Sequence, residues 1–335
     1  MDKNPTVVFA KPKEVVLEER DVPSPKSGQL LIKTRRTLIS TGTELTILNG
    51  QFPRESRWAA YGKFPFLPGY NNIGEVVDVG PDADKAWVGT RVATSAGHSQ
   101  YVIVPAKKAR RIQRDELEDE EAVFFTIAEV VMNGVRRGSV LWGESAVIFG
   151  MGLLGQFAAR FCRIAGARPV VAVDISANRL GYLPDDPALV KLNPAEEDPE
   201  AAVAKLTRGR KADVVFELTG NQDLIPDQFK VLRTQGRYVI LSSPRGETTF
   251  DFHDLCNAPS YTIIGAHSGS HPKTATLDNP WTNQRDAELF FDLVADKEID
   301  VRPLISHREP YTKAGQLYNL LLEDRSRAMG VVMEW

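Results

Sequence analysis

Apolar and polar positions along the first 120 residues alternate in short runs. EVVLEER, QLLIKTRRTLI, IGEVVDVG, TRVAT and SQYVIVPAKKARRI each read as a β-strand, and Pro, Gly and Asp separate them. Near Asp115 the period lengthens: DELEDEEAVFFTIAEVVMNGVRRG carries acids early and arginines late, the charge order that suits a helix dipole. Strand-like and helical runs then alternate through SAVIFG, GQFAARFCRIAG, PVVAVDI, EDPEAAVAKLTRG, ADVVFELTG, DQFKVL, GRYVILSS and YTIIGAHSG. That order predicts βαβ units, hence an α/β fold with a parallel sheet covered on both faces. An amphipathic helix over about 282–297, a strand RPLISH, a helix near 313–323 and a strand AMGVVMEW close the chain.

A length of 335 residues suggests about two domains. The net charge of −3 gives no global attraction to nucleic acid or anionic membrane, and the basic run at 107–111 reads as solvated surface. Two cysteines, Cys162 and Cys256, build neither a disulfide framework nor a multi-thiolate zinc site; Cys162 lies in a helix and reads as core. The N-terminal run lacks a signal peptide's apolar core, and no apolar run approaches the ~18 residues of a membrane helix. A reducing cytoplasm is the expected compartment.

SAVIFGMGLLGQFAARF is a strand entering G-x-G-x-x-G and then a helix. Gly150 permits the tight turn, Gly152 the close approach of a pyrophosphate, and Gly155 the packing of helix on strand. With Met151, Leu153 and Leu154 between them, these residues present free amides and a positive helix end to phosphates. Asp174, at the end of PVVAVDIS, is placed to accept hydrogen bonds from the adenosine ribose and to repel a 2′-phosphate, which favours NAD over NADP. Arg179 softens that preference or lies in solvent at a helix start.

LISTGTELTILNG (38–50) packs hydroxyls, glycine and one carboxylate between apolar neighbours, a turn or an active site. With PGYNNIGEVVDVG, GTRVA, HSQYVIVP, GMGLLG, VDIS and FELTG, it resembles the medium-chain dehydrogenase/reductase superfamily over nearly the whole chain. Within it, the chain looks most like a zinc-poor branch of zinc-type alcohol dehydrogenase-like proteins that includes bacteriochlorophyllide dehydrogenase-like members. The resemblance implies a GroES-like, β-rich catalytic domain at 1–126, a Rossmann doubly wound NAD-binding domain at 127–268 and a return to the first domain at 269–335. It places Thr219, Gly220 and Ser242 beside the cofactor, and implies a homodimer through the strand at 261–265.

The zinc-ligand positions of that family fall here on Thr41, Tyr70 with Asn71 beside it, and the Phe125/Thr126 region, so no catalytic zinc is expected. The four-cysteine structural zinc lobe has no counterpart either. The family's proton relay falls on Thr43, while its histidine falls on Thr46, which passes a proton but cannot store one. Candidates for acid–base work are Glu129, near the family's nicotinamide position, Glu44 and Tyr70; for each, a structural role is the alternative.

Arg54, Arg57, Trp58, Tyr61 and Lys63 combine aromatic faces with donors and suit a polyhydroxylated or anionic substrate, or else form a surface loop. The resemblance places His267 and His271 after a strand that ends near the nicotinamide, which makes one of them a candidate to reach substrate; His98 and His307 read as packing residues. The implied activity is zinc-independent, NAD-dependent oxidation of a secondary alcohol, such as a sugar or polyol, to a ketone. An enoyl or quinone reductase using NAD(P)H and a non-catalytic NAD-binding protein stay open as alternatives. Nucleic acid and membrane are not expected partners.

Overall fold

A computed structural model describes residues 3–335, which form two compact units. The first runs to Thr126 and resumes at Gln284–Trp335; the second is Ile127–Asn283.

The first unit begins with an antiparallel hairpin of β1 (Lys3–Lys11) and β2 (Glu14–Asp21). There follow β3 (Gln29–Leu38), α1 (Thr43–Asn49), α2 (Arg57–Tyr61), β4 (Asn72–Val79), β5 (Arg91–Thr94), β6 (Tyr101–Pro105), β7 (Arg110–Arg111) and α3 (Asp119–Ala122). Helix α4 (Phe125–Arg137) leads into the second unit, which contains β8 (Ala146–Phe149), α5 (Leu153–Ile164), β9 (Val170–Val173), α6 (Ala177–Gly181), β10 (Leu189–Leu192) and α7 (Pro199–Leu206). It continues through β11 (Ala212–Glu217), α8 (Ile225–Gln228), β12 (Leu232–Ile240) and β13 (Thr262–Gly265). The chain then returns to the first unit with α9 (Asn283–Ala295), β14 (Ile305–Pro310), α10 (Ala314–Glu323) and β15 (Gly330–Glu334).

Strand β3 organises the first unit's main sheet, ordered β14-β15-β3-β4-β5-β7, with β6 also paired to β3. Its inward residues Leu30 and Ile32 meet Val76, Val92, Val102 and Val104 in one apolar cluster. A second cluster joins residues far apart in sequence: Phe9, Ile39, Ile47 and Leu48 pack with Leu317, Tyr318, Leu321 and Val331. Phe9 meets the Tyr318 ring edge-on at 5.0 Å. The N-terminal segment therefore buries its apolar face only with the C-terminal one in place.

In the second unit six parallel strands run in the order β10-β9-β8-β11-β12-β13. The order reverses at β8, between β9 and β11, so the sheet is doubly wound with its crevice at the carboxyl end of β8. Val147, Val171 and Val215 are fully buried, as strands covered on both faces require. Phe229 stacks on Tyr238 at 4.1 Å in this core.

Three local expectations change. The helical run after Asp115 breaks into α3 and α4 at a turn over 123–124, and Phe124 and Phe125 are both fully buried there. DQFKVL yields a short α8 that tightens into a 3₁₀ turn at Phe229–Val231. Residues 269–283, read from sequence as part of the return, cluster with the second unit. There the Asn133 amide donates to the Ser270 hydroxyl at 2.8 Å, and the Arg136 guanidinium lies 3.7 Å over the Trp281 ring. Among the described residues no helix is long and apolar enough to cross a membrane.

Phe229→Ala should destabilise the protein by about 3–5 kcal/mol through loss of buried area and a residual cavity. Urea unfolding followed by circular dichroism measures this.

Candidate active site

The glycine turn sits at the reversal point of the doubly wound sheet. Gly150 has φ +96°, and a Cβ there would meet the Leu218 carbonyl and Thr219 nitrogen at 2.8–2.9 Å. A Cβ on Gly155 would lie 2.0 Å from the Gly150 carbonyl oxygen, so only hydrogen allows α5 to start this close to β8. Gly152, which precedes α5, faces open space with nothing within 4 Å. The first turn of the twelve-residue α5, with Leu153 and Leu154, leaves its amides directed at that space.

Around this turn the carboxyl ends of three strands carry polar groups. After β9, Asp174 is largely buried and accepts from the Met151 amide (2.7 Å) and the Ser176 amide (2.8 Å). The Arg179 guanidinium lies 3.8 Å from it. A carboxylate accepts about four hydrogen bonds, so Asp174 retains capacity for ribose hydroxyls. At the end of β11, Glu217 is fully buried and takes bonds from Thr219 and Gly220, while the Ser242 hydroxyl after β12 donates to its other oxygen. This turn, helix end and ribose carboxylate fit the adenosine diphosphate half of a nicotinamide dinucleotide.

In the first unit, the Thr43–Asn49 part of LISTGTELTILNG forms the helix α1, and residues 39–42 lead into it from β3. Its approach holds a cluster of hydroxyls. The Tyr70 phenol lies 2.5 Å from the Ser40 hydroxyl and 3.4 Å from that of Thr43. Burial raises the Tyr70 phenol pKa, and the Ser40 and Thr43 hydrogen bonds oppose that shift. Tyr70 has φ +134°, a region that costs a non-glycine residue roughly 1–3 kcal/mol, and follows Gly69 at +140°. Gly69 is pressed against Gly97, where a Cβ would lie 2.4 Å from the Gly97 Cα. The Thr126 hydroxyl donates to the Tyr70 carbonyl at 2.8 Å and holds the strained residue in place.

Beneath the cluster lies Glu44, 1% exposed. It accepts from the Ser40 amide (2.8 Å) and from the Tyr318 hydroxyl, and lies 3.2 Å from His98 Nε2. Burial, then the nearby Glu44 charge, push the Tyr318 phenol well above its ordinary value. Glu44 thus anchors the approach to α1 from below.

Two family models cover most of the chain: the alcohol dehydrogenase GroES-like domain over residues 26–116 and the zinc-binding dehydrogenase model over 154–281. The chain belongs to the zinc-type alcohol dehydrogenase-like medium-chain dehydrogenase/reductase superfamily. Its first unit holds the GroES-like domain and its second the Rossmann-like sheet, and it is an oxidoreductase of the dehydrogenase type.

The erythritol/L-threitol dehydrogenase of Mycolicibacterium smegmatis is 24% identical, covering 81% of this chain and 84% of that one. The L-galactonate-5-dehydrogenase of Escherichia coli is 23% identical, covering 97% and 98%. Among solved structures, a protein from Sinorhizobium meliloti 1021 described as a zinc-binding dehydrogenase and bound to NADP superposes with TM-score 0.81 at 21% identity, covering 100% of both chains. An Escherichia coli CFT073 protein described as a short chain alcohol dehydrogenase and complexed with NADH gives 0.82 at 17%, again covering 100% of both. At these identities the structures show a shared fold.

The metal in the superfamily model's name requires three or four nitrogen, sulfur or carboxylate donors. The positions that the family resemblance assigns to such donors carry Thr41, Tyr70, Asn71 and Phe125 or Thr126. Among the described residues no group of three or more His, Cys, Asp or Glu is arranged to hold a metal ion. This donor set does not fit zinc.

Sequence reasoning pointed to Thr43 and Tyr70, which the fold brings together, but missed Ser40, Tyr318 and His98. His98 is buried, as a packing residue should be, and its ring lies 3.2 Å from the Glu44 carboxylate; a histidine at GHSQYV carries no signal of that partner. Thr46 is buried and spends its hydroxyl hydrogen on the Gly42 carbonyl (2.8 Å), a bond internal to α1. Glu129 is 2% exposed, not on a solvent-facing surface, and accepts from the Asn283 amide at 3.1 Å. Trp58 stacks with Phe52 and leans on the core, while Tyr61, 56% exposed, meets Phe66 edge-on; Arg54, Arg57 and Lys63 are exposed beside them. His267 is exposed and accepts from the Gly269 amide, whereas His271 is buried against the Ser268 carbonyl.

Asp174→Ala should weaken NADH binding roughly 10- to 100-fold, since a hydrogen bond to a charged group contributes about 1.5–3 kcal/mol. Quenching of NADH fluorescence on titration measures it.

Proposed function

We propose that this dehydrogenase oxidises a secondary alcohol of a sugar, polyol or related hydroxyl compound to a ketone, reversibly, with protein hydroxyls in the place of zinc. The observation that carries the reading is the Ser40–Tyr70–Thr43 cluster, built on a strained backbone at the family's metal position. Strain kept at one residue by its surroundings points to function rather than packing. The two relatives named above act, by their names, on a tetritol and a sugar acid, and the Arg54, Arg57, Trp58 and Tyr61 segment suits such substrates.

The cofactor, when bound, accepts or supplies the hydride. The rest is the work of side chains. Tyr70 donates to the substrate oxygen, and Ser40 and Thr43, each both donor and acceptor, orient its phenol. Glu129, a buried carboxyl on α4, takes the alcohol proton during oxidation. Thr46 is left out of the relay because its hydrogen is committed within α1. Asp174 favours NAD, with the Arg179 guanidinium 3.8 Å away moderating the preference. The free side of the edge strand β13, where Ile263 is 39% exposed, supports pairing with a second copy as a homodimer. Composition supports a cytoplasmic setting.

Chelator-treated protein should form NADH from NAD⁺ with at least one sugar or polyol in a panel. Loss of turnover on chelation with recovery on adding zinc would sink the metal-free reading. Turnover of enones alone would move the protein to double-bond reduction.

Tyr70→Phe should lower kcat about 10²- to 10³-fold, the usual range for loss of one hydrogen-bond donor to the reacting oxygen. A phenol with raised pKa keeps its proton below that value and loses it as pH rises through it. Tyr70 therefore keeps its hydrogen for the substrate oxygen from neutral pH to the ordinary phenol value of about 10; an unchanged kcat in Tyr70→Phe would remove it as the donor.

Glu129→Gln should lower turnover far more than NADH affinity. Equal losses in both would remove Glu129 as the base.

A further inference from the structure

The hydroxyls of Thr219 and Ser242 converge on one buried carboxylate at the ligand-facing edge of the second unit's sheet. Glu217 is 0% exposed. Its Oε1 accepts from the Thr219 amide (2.7 Å), the Thr219 hydroxyl (2.5 Å) and the Gly220 amide (3.0 Å), and its Oε2 accepts from the Ser242 hydroxyl. Four donors face the carboxylate. That compensates the burial of a charge, since hydrogen bonds to an ionised acceptor are about twice as strong as neutral ones.

The direction of these bonds has a chemical consequence. A hydroxyl carries one hydrogen, so Thr219 and Ser242, having given theirs to Glu217, present only lone pairs elsewhere. One Thr219 lone pair already accepts the Asn221 amide at 3.0 Å. Ser242, half-buried at the end of β12, is the more open acceptor.

Its position selects the part of the cofactor it meets. Asp174 follows β9 and Ser242 follows β12, with β8 and β11 between them. Three strand spacings of about 4.8 Å span roughly 14 Å. An extended dinucleotide whose ribose lies at Asp174 and whose pyrophosphate lies at the β8 turn brings its nicotinamide end to the β11–β12 side.

We propose that Glu217 is a positioning residue that fixes Ser242 as a hydrogen-bond acceptor for the carboxamide NH₂ of the nicotinamide ring. The inference rests on the nicotinamide-cofactor reading and adds a direction to it: the pocket accepts a donor at this point and rejects an acceptor. A pyridine ring carrying a carboxylate in place of the carboxamide brings two lone-pair oxygens against Ser242 and is disfavoured.

The test compares binding of NADH with that of its reduced nicotinic acid analogue, by fluorescence titration or calorimetry on the full chain. Wild-type protein should bind the acid analogue at least ten-fold more weakly. In Glu217→Gln the side-chain NH₂ can donate to Ser242, freeing its hydrogen to turn outward, and the ratio should fall several-fold. Ser242→Ala, which leaves Glu217 its three other donors, should narrow the ratio as well and serves if the first variant does not fold. A ratio near one in wild type, or one unchanged in a folded variant, overturns the proposal. Failure of wild type to bind either dinucleotide overturns the cofactor reading instead.

Discussion

The first unit depends on one buried charge. Glu44 lies out of water, where an unpaired carboxylate would be costly, and three groups from different parts of the chain compensate it. The Ser40 amide belongs to the approach to α1, His98 to the segment between β5 and β6, and Tyr318 to α10, more than two hundred residues later. Because Ser40 is held through its backbone, its hydroxyl is free to meet Tyr70. The Glu44 carboxylate and the hydroxyl cluster are thus joined through backbone, not by a continuous chain of exchangeable protons. This makes Glu44 a support for the chemistry and leaves proton transfer to groups that touch the substrate.

The second unit solves a similar problem with another buried carboxylate. Glu217 ties the segments after β11 and β12, while glycine lets the Thr219 backbone come within reach of the turn after β8. In both units a fully buried acid is satisfied mainly by hydroxyls and amides rather than by Lys or Arg. Such a set fixes orientation as well as charge, since each hydroxyl has a single hydrogen to give.

Much of this was legible in the sequence because it follows from periodicity and from glycine. Alternating Val-rich runs and the Gly150–Gly155 turn mark a doubly wound sheet, and Asp174 sits where the end of a strand must place it. The partners of Glu44 were not legible, since His98 and Tyr318 carry no local mark of a contact made over such separations. Nor was the break before α4, since EEAVFFTIAEV reads as one helical run. Thr46 shows a further limit: its hydroxyl suits a relay by residue type, and only the helix geometry shows where its hydrogen goes.

The division of the first unit into two stretches of chain also sets an order of assembly. The second unit, Ile127–Asn283, is continuous and can close as it leaves the ribosome. Strand β3 meanwhile lacks its neighbour β15, and Glu44 lacks Tyr318. At about 5–20 residues per second, the intervening unit delays the missing residues by roughly 10–30 s. During that interval the nascent chain carries a finished Rossmann-like unit, an open sheet edge and a carboxylate short of one of its three partners. Synthesis thus completes the Rossmann-like sheet before the GroES-like unit can close its own core.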